Sequence, residues 1–468
     1  MSSMANHGRE SAGTREERNG VDSDDIEHTM GALCLSDHQQ QRQHEERPPP
    51  ASVDIDRQDP DENDWDINTE QRRIEDQWKA RLESIDDAYA RLLTVKRTVW
   101  KSEHTQRVYD LRYRDRDNPA LHAHKESTTV DGYRSNFTDH LQTLMPDGAR
   151  ALPRGARVLD LGAAPGGTSK FFCEDCDCDV LGVTIETDRK GFKMLYSHRN
   201  LFVLFDDLAQ EIDEQFDRFC ARLEGFRPDV FRRRGEVKFK VVHCGAVLQS
   251  AMVKHLLHID DDDPQFDDLA RERQRMAYRT RMTLMKRQLQ LALLYLEEGG
   301  HLIWIFRPGH KEIVVLAHLL PLFTSFAIFR TNFLIKSQIK IALFGFRPSQ
   351  PRTRQQDVTP SDGEYSVPAD FPFPVRSRRE AHRWLKSMRC DVDGYPEDFD
   401  TDKTRDLAER VYRCILQPHV TPLFAEQCRF LEWIEEEATK GSGDEERLYQ
   451  LALLLIACPK KETYMNPS

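Results

Sequence analysis

The stretch VLDLGAAPGGTSK, residues 158–170, constrains the fold of this chain more than any other. Its first four residues form a short, mainly apolar run that is typical of a strand buried on both faces. A turn of small residues follows, and Thr168 or Ser169 is a favourable residue at which a helix can begin. A strand, a small-residue turn and a helix in this order predict a doubly wound α/β fold, in which small residues let a cofactor approach the backbone. A tight turn between two packed elements is the alternative.

The acidity of the chain belongs to its N-terminal part. The formal net charge is -12, and residues 1–65 account for nearly all of it, since they hold 16 acidic residues, six arginines and no lysine. This part is also poor in large apolar residues, which predicts a disordered acidic tail. The tail could be an autoinhibitory mimic of RNA or simply a solubilising segment.

The composition also bears on location. No apolar run approaches the ~18 residues of a membrane span, and the N-terminus lacks the charged and apolar regions of a signal peptide. The ten cysteines are scattered, which is typical of free thiols in a reducing compartment. We therefore expect an intracellular protein, cytoplasmic or nuclear, that does not enter a membrane.

A cluster of three cysteines raises the question of a metal. Cys173, Cys176 and Cys178 lie close together but among four acidic residues, and no second cysteine or histidine pair has the spacing of a zinc site. The sequence therefore predicts no metal.

The pattern of apolar residues divides the chain into five parts. Within residues 66–133, apolar residues recur every three or four positions over 66–100, which predicts one long helix there. The rest, up to residue 133, lacks this pattern and is predicted to be an irregular connection. Residues 134–348 alternate strands with helices, including a long helix over 268–296 that ends at a Gly299-Gly300 cap. A proline-rich and arginine-rich linker over 349–379 and a helical accessory region over 380–468 follow. The predicted strands are residues 157–161, 180–185, 201–207, 238–247, 301–306, 325–333 and 340–346.

The sequence DLGAAPGG directly after a strand resembles motif I of the FtsJ-like (RrmJ-like) ribose 2′-O-methyltransferases, which bind S-adenosylmethionine (SAM). The resemblance covers residues 134–346. It implies a Rossmann-like methyltransferase fold with a seven-stranded, mostly parallel sheet that has one antiparallel edge strand. It also implies SAM as the cofactor and RNA as the acceptor of the methyl group.

The resemblance places the cofactor at the ends of three strands. Asp160 and the following turn would lie near the methionine and ribose parts of SAM. The family position for the residue that binds the ribose hydroxyls is Thr184, and Glu186, two residues on and on the same side of an extended strand, could take its place. Asp207, with its neighbour Asp206, would lie near the adenine. Each of these side chains could instead be a solvated carboxylate at a strand end. The predicted turn residues are Gly162, Ala163, Ala164, Pro165, Gly166 and Gly167.

The family uses a Lys-Asp-Lys-Glu tetrad to orient and deprotonate the ribose hydroxyl. Local motifs place His140, Cys244, Trp304 and Gln338 at these four positions, so the chain resembles a divergent member that lacks the tetrad. His140 could still act as a base, because imidazole titrates near neutral pH. Cys244 could be a reactive or an inert thiol, and Trp304 could stack on a base or pack in the core. A catalytically inactive SAM-binding or scaffold protein is therefore the alternative function.

Two surfaces are candidates for partners. Arg271, Arg275 and Arg279 share one face of the long predicted helix by their i, i+4 spacing, which suits RNA phosphates or merely a solvated surface. The apolar positions of the C-terminal helical region could bind a protein partner.

Overall fold

A central sheet of eight strands organises the part of the chain that the computed structural model describes. This part comprises residues 67–114, 119–187, 192–210, 212–226, 237–247, 266–330, 339–347, 363–368, 370–388, 390 and 401–456. The acidic tail over residues 1–65 and Gln338 lie outside it. The strands are β1 (Arg157–Leu161), β2 (Asp179–Thr184), β3 (Leu201–Phe205), β4 (Phe239–Cys244), β5 (Leu296–Phe306), β6 (Ser325–Arg330), β7 (Ile339–Phe344) and β8 (Tyr365–Ser366).

The order of the strands is β3-β2-β1-β4-β5-β7-β6-β8. The five strands from β3 to β5 pair in parallel, so their carboxyl ends share one edge of the sheet. The prediction of a mostly parallel α/β sheet is confirmed. The resemblance implied one antiparallel strand, at the edge; the structure has two, β7 inside the sheet between β5 and β6 and the additional strand β8 at the edge.

The eighth strand comes from the segment that the sequence predicted to be a linker. β8 pairs antiparallel with β6 at the edge of the sheet. Next to it, the buried carboxylate of Glu364 accepts hydrogen bonds from Arg150 Nε at 2.8 Å and from Ser325 Oγ at 2.9 Å. This buried ion pair fixes the segment to the sheet, which a proline-rich and arginine-rich composition does not reveal.

Helices cover both faces of the sheet and form a separate helical layer. No helix among the described residues is long and apolar enough to cross a membrane. The helices are α1 (Ile67–Ile85), α2 (Asp87–Lys101), α3 (Glu103–Arg114), α4 (Pro119–His140), α5 (Gly167–Lys170), α6 (Asp213–Gly225), α7 (Phe266–Tyr295), α8 (His310–Leu319), α9 (Arg378–Ser387), α10 (Asp402–Val411), α11 (Gln417–Lys440) and α12 (Glu445–Ile456).

The N-terminal helices differ from the prediction at Asp86. This residue ends the expected single helix, because its carboxylate caps α2 by accepting hydrogen bonds from the backbone N–H groups of residues 88 and 89. Its other oxygen accepts hydrogen bonds from Tyr412 Oη at 2.8 Å and Thr421 Oγ1 at 2.7 Å. The prediction of an irregular connection over 102–133 is also wrong, since α3 and most of α4 occupy it.

The C-terminal helices pack on the N-terminal helices. α11 contacts α2 and α3, and α12 contacts α3. The apolar side chains that could have bound a protein partner are therefore largely covered by the chain itself. They include Leu385, Leu407, Val411, Ile415, Phe430 and Leu448.

The end of the long helix α7 also differs from the prediction. The helix gives way directly to β5 at Leu296, and Gly299-Gly300 lies inside the strand instead of capping the helix. Gly299 has a φ of +71° and donates its N–H to Phe346 O at 2.8 Å. Gly300 O accepts the Phe346 N–H at 2.9 Å, so these glycines extend the pairing of the sheet.

Candidate functional site

The small-residue turn after β1 lies at the carboxyl edge of the sheet. Gly162 and Gly166 have φ angles of +88° and +116°, which favour glycine. The N–H groups of Gly162 and Ala163 both donate to Val183 O, at 2.8 Å and 3.1 Å, and thereby join the turn to β2. The helix begins at Gly167, one residue earlier than the sequence predicted.

Neighbouring protein atoms surround the glycines of this turn. A Cβ on Gly162 would lie 2.4 Å from the backbone N of Ala246, which follows β4. A Cβ on Gly166 would lie 2.6 Å from Tyr196 Cβ, in the segment between β2 and β3. The packing of the chain therefore requires glycine here, whereas sequence reasoning attributed the requirement to a ligand.

Asp160 lies behind the turn and is fully buried. Its Oδ1 is 2.8 Å from His243 Nδ1 on β4, and its Oδ2 accepts a hydrogen bond from Ser169 Oγ at 2.7 Å. Both carboxylate oxygens thus contact protein groups, so Asp160 holds β1, β4 and α5 together beneath the turn.

The predicted acidic residues lie beyond the ends of β2 and β3, at the same edge. Glu186 is exposed. Asp206 is buried, and its Oδ2 lies 3.0 Å from Arg222 Nη1. Asp207 accepts a hydrogen bond from the backbone N–H of Ala209 at 2.8 Å. The structure therefore distinguishes an exposed carboxylate after β2 from two carboxylates after β3 that contact the protein itself.

This edge has the chemical groups that SAM requires. The turn supplies a glycine-rich backbone at the carboxyl end of β1, where doubly wound folds bind their cofactors. The exposed Glu186 carboxylate after β2 can accept hydrogen bonds from two neighbouring ribose hydroxyls. The residues present thus fit the cofactor that the resemblance implies.

Of the three predicted tetrad positions that the structure describes, Cys244 and Trp304 lie side by side and His140 lies apart from them. Cys244 and Trp304 pair on β4 and β5, and both are buried in the core that α7 covers. Burial raises the pKa of the Cys244 thiol, which makes it inert, and the Trp304 ring packs on Phe306. His140 is exposed at the end of α4, where its ring stacks on Phe329, a residue of the core on the opposite face.

Sequence reasoning missed a buried basic residue on β7. Lys340 is fully buried; its Nζ donates a hydrogen bond to Asn136 Oδ1 at 3.2 Å and lies 3.7 Å from the centroid of the Phe137 ring. Burial lowers the pKa of Lys340 to about 7, and the negative charge of Asp160 partly opposes this shift. The signal in the sequence was a lysine between two isoleucines in an otherwise apolar strand.

Lys340, Asp160 and His243 form a buried ionisable cluster beneath the turn. Phe137 joins them, because its ring packs against His243 at 5.3 Å and carries the Lys340 ammonium on its face. All three ionisable side chains are at most 3% exposed. The cluster therefore lies inside the protein beneath the turn, away from solvent.

A small open cavity lies beside the turn, at the carboxyl ends of β4 and β5. Its volume is about 60 Å³. Gln288 closes one side by accepting the Ala246 N–H at 2.8 Å and donating to Ala246 O at 3.0 Å. The other polar residues of its wall are Arg281, Arg307 and Glu312, and Trp304 also lines it.

The other predicted residues are placed as follows. The helix α7 includes Arg271, Arg275 and Arg279. The side chains of the first two lie outside the described part of the structure, and Arg279 is half-buried. Their binding to RNA stays a prediction.

The three clustered cysteines are buried in the core around Phe137. Burial raises the pKa values of Cys173 and Cys176 to about 12, as expected of thiols that pack as small apolar groups. Within the described ranges, no group of three or more histidine, cysteine or acidic residues could hold a metal ion.

Comparison with known proteins finds a similarity over the central part of the chain. A family model described as FtsJ-like methyltransferase matches residues 144–338. A search of curated proteins finds no match. Among solved structures, a chain of a fibrillarin/Nop5p complex matches with 14% identity over 42% of this chain and 75% of that chain, with a TM-score of 0.26. A TM-score of this size does not establish a shared fold.

Proposed function

We propose that the chain is a SAM-dependent methyltransferase that acts on RNA, by family analogy at the ribose 2′-hydroxyl, because the family model of FtsJ-like methyltransferases matches residues 144–338. The observation that supports the proposal most is the glycine turn between β1 and α5. It lies at the carboxyl edge of a parallel sheet, where this class of fold binds its cofactor.

The residues that would hold SAM are the backbone of the 162–167 turn, Glu186 and Asp207. SAM supplies an activated methyl group to the acceptor when it is bound. The bonds of Asp160 to Ser169 and His243 keep the turn in place, so a ligand need not order it. Glu186 orients the ribose through its exposed carboxylate.

The acceptor hydroxyl must lose a proton as it takes the methyl group. His140 is the exposed member of the tetrad positions that the structure describes, and imidazole ordinarily titrates between pH 5 and 8. The contact with Phe329 fixes the plane of its ring. We therefore assign the role of base to His140.

A second candidate function is a SAM-binding scaffold without catalysis. The observation that favours it is the burial of Cys244 and Trp304 on one face of the sheet, while His140 stacks on the other. A chain of this kind keeps the fold and the cofactor turn but has no assembled set of groups to deprotonate a hydroxyl.

Calorimetry with SAM tests the shared part of both functions. We expect the unaltered chain to bind SAM and Glu186→Ala to bind it about tenfold or more weakly, since a hydrogen bond to a charged group contributes about 1.5–3 kcal/mol. Glu298→Ala is the matched control, because Glu298 is exposed in the N-terminal part of β5. No binding at millimolar SAM would overturn both functions.

Transfer of a labelled methyl group from SAM to total RNA separates the two functions. Label in RNA as 2′-O-methylated nucleosides, lost in His140→Gln, is the result expected of the enzyme. Binding of SAM without any transfer is the result expected of the scaffold.

A further inference from the structure

Three cations converge beside the cavity at the ends of β4 and β5. Arg281 lies on α7, Arg307 directly follows β5, and Lys311 lies in the first turn of α8. The Arg281 guanidinium carbon is 5.3 Å and Lys311 Nζ is 4.1 Å from the centroid of the Tyr278 ring. Desolvation, together with the positive charge of Arg281, lowers the pKa of Arg307, although Glu312 opposes the shift. Three separate elements thus bring positive charge to one place.

Two of these cations form part of the cavity wall. Arg281 and Arg307 both line the cavity, and Glu312 is the acidic residue in its wall. The Arg281 Nε is buried and has no hydrogen-bond partner within the described part of the chain. A buried N–H group without a partner destabilises the folded chain, and an acceptor atom in the cavity would satisfy it.

The positive charge continues from the cavity towards the helical layer. Lys96 on α2 has its pKa lowered to about 8, mainly by burial and then by the positive charges of Arg330 and Arg307. Like charges this close repel one another, so the arrangement favours a ligand that carries negative charge.

We propose that this cavity binds a phosphate group of the RNA acceptor, with Arg281 and Arg307 as its ligands. The guanidinium group presents several N–H donors in a planar fork that matches the oxygens of phosphate. The proposal depends on the proposed function for RNA as the source of the phosphate. It places the contact at the carboxyl ends of the strands instead of on the Arg271–Arg279 helix face.

The size of the cavity favours a phosphate over a nucleobase. A volume of about 60 Å³ has room for about four water molecules, which is close to the size of a phosphate group. Trp304 lines this space but is only 2% exposed and already packs on Phe306, so its face is not available for stacking. Ala246 lies between the cavity and Gly162, so a phosphate bound here would hold the neighbouring nucleotide next to the cofactor turn.

Fluorescence anisotropy with a single-stranded RNA decamer tests the proposal. We expect Arg281→Gln and Arg307→Gln each to weaken binding about tenfold or more, and to reduce the slope of log affinity against log salt by about 0.7 for each lost phosphate contact. Arg281→Lys keeps the charge but loses the planar fork, so it should recover only part of the affinity. Decamers with a 5′-phosphate and with a 5′-hydroxyl distinguish a terminal from an internal phosphate.

Arg154→Gln is the matched control, because it removes one exposed positive charge at the opposite end of the sheet, next to the start of β1. It should bind RNA within about twofold of the unaltered chain, since surface charges far from the site are screened by salt. If Arg281→Gln and Arg307→Gln also stay within that range, the proposal is overturned.

Two further measurements keep the outcome clear. Inorganic phosphate should raise the melting temperature of the unaltered chain above its value in chloride at equal ionic strength, because a ligand that binds the folded state stabilises it. If the arginine variants fail to fold, an absence of this effect in the unaltered chain overturns the proposal.

SAM affinity, measured in parallel, should be unchanged in Arg281→Gln. If the unaltered chain does not bind SAM, the proposed function is contradicted. If Arg281→Gln leaves the RNA affinity unchanged, only the phosphate site is contradicted.

Discussion

Replacement of Lys340 by methionine tests the buried ionisable cluster beneath the turn. The pKa of Lys340 is about 7 in the folded chain and 10.5 when the side chain is solvated. Between these two pH values the unfolded state binds more protons than the folded state, so stability rises with pH in this window. Below pH 7 both states are protonated and the destabilising effect is constant.

The size of the effect follows from the same two values. A shift of one pKa unit corresponds to about 1.4 kcal/mol, so the full effect of Lys340 has an upper limit of about 5 kcal/mol. Integration of the proton difference between pH 7 and pH 9 predicts that the unaltered chain gains about 2 kcal/mol from this group. Lys340→Met keeps the length of the side chain against Phe137 and removes the titration.

Urea unfolding at pH 7 and pH 9 measures the difference. We expect the free energy of unfolding to gain about 2 kcal/mol more between these pH values in the unaltered chain than in Lys340→Met. Lys96, whose pKa of about 8 lies in the same window, contributes equally to both proteins and cancels. Lys101→Met is the control, because Lys101 is exposed. If the free energy of unfolding depends on pH equally in the unaltered chain and in Lys340→Met, the lowered pKa of Lys340 is refuted.

Three further changes test the turn, the helical layer and the base. Gly166→Ala should destabilise the chain by about 2 kcal/mol or more and abolish SAM binding, because its Cβ would lie 2.6 Å from Tyr196 Cβ at a φ of +116°; an unchanged urea midpoint would contradict this. Asp86→Ala should cost about 2–4 kcal/mol of unfolding free energy, since it loses the α2 cap and two buried hydrogen bonds, whereas Asp87→Ala should cost less than 1 kcal/mol. His140→Gln should abolish methyl transfer, and activity that persists at high pH without His140 would exclude it as the base.

The sequence predicted the parts of the fold that depend on local patterns. Buried parallel strands are short apolar runs, so β1, β2 and β4 could be located from hydrophobicity alone. The break at Asp86 could not be, because it depends on Tyr412 and Thr421, more than 300 residues away along the chain. The pairing of β7 between β5 and β6 and the recruitment of β8 likewise depend on contacts between distant residues.

The candidate site was predictable in its backbone and not in its side chains. The turn and the strand-end carboxylates follow from the resemblance, because their positions are fixed by the ends of strands. The contact of Lys340 with Asn136, and that of His243 with Asp160, join residues from different elements. No spacing in the sequence indicates that these four side chains share one buried volume beneath the turn.

The glycine turn is therefore weaker evidence for catalysis than its likeness to the family indicates. Gly162 must be small because Ala246 packs against it, and Gly166 must be small because Tyr196 does, so folding alone would keep both glycines in a chain that never transfers a methyl group. Asp160 serves folding in the same way, since its two oxygens bind His243 and Ser169. Exposed groups discriminate better between an enzyme and a scaffold, because the fold depends on them less than on buried groups. Glu186 and His140 are such groups, and the loss of SAM binding or of methyl transfer in their variants, with the fold intact, would be direct evidence for chemistry at this edge.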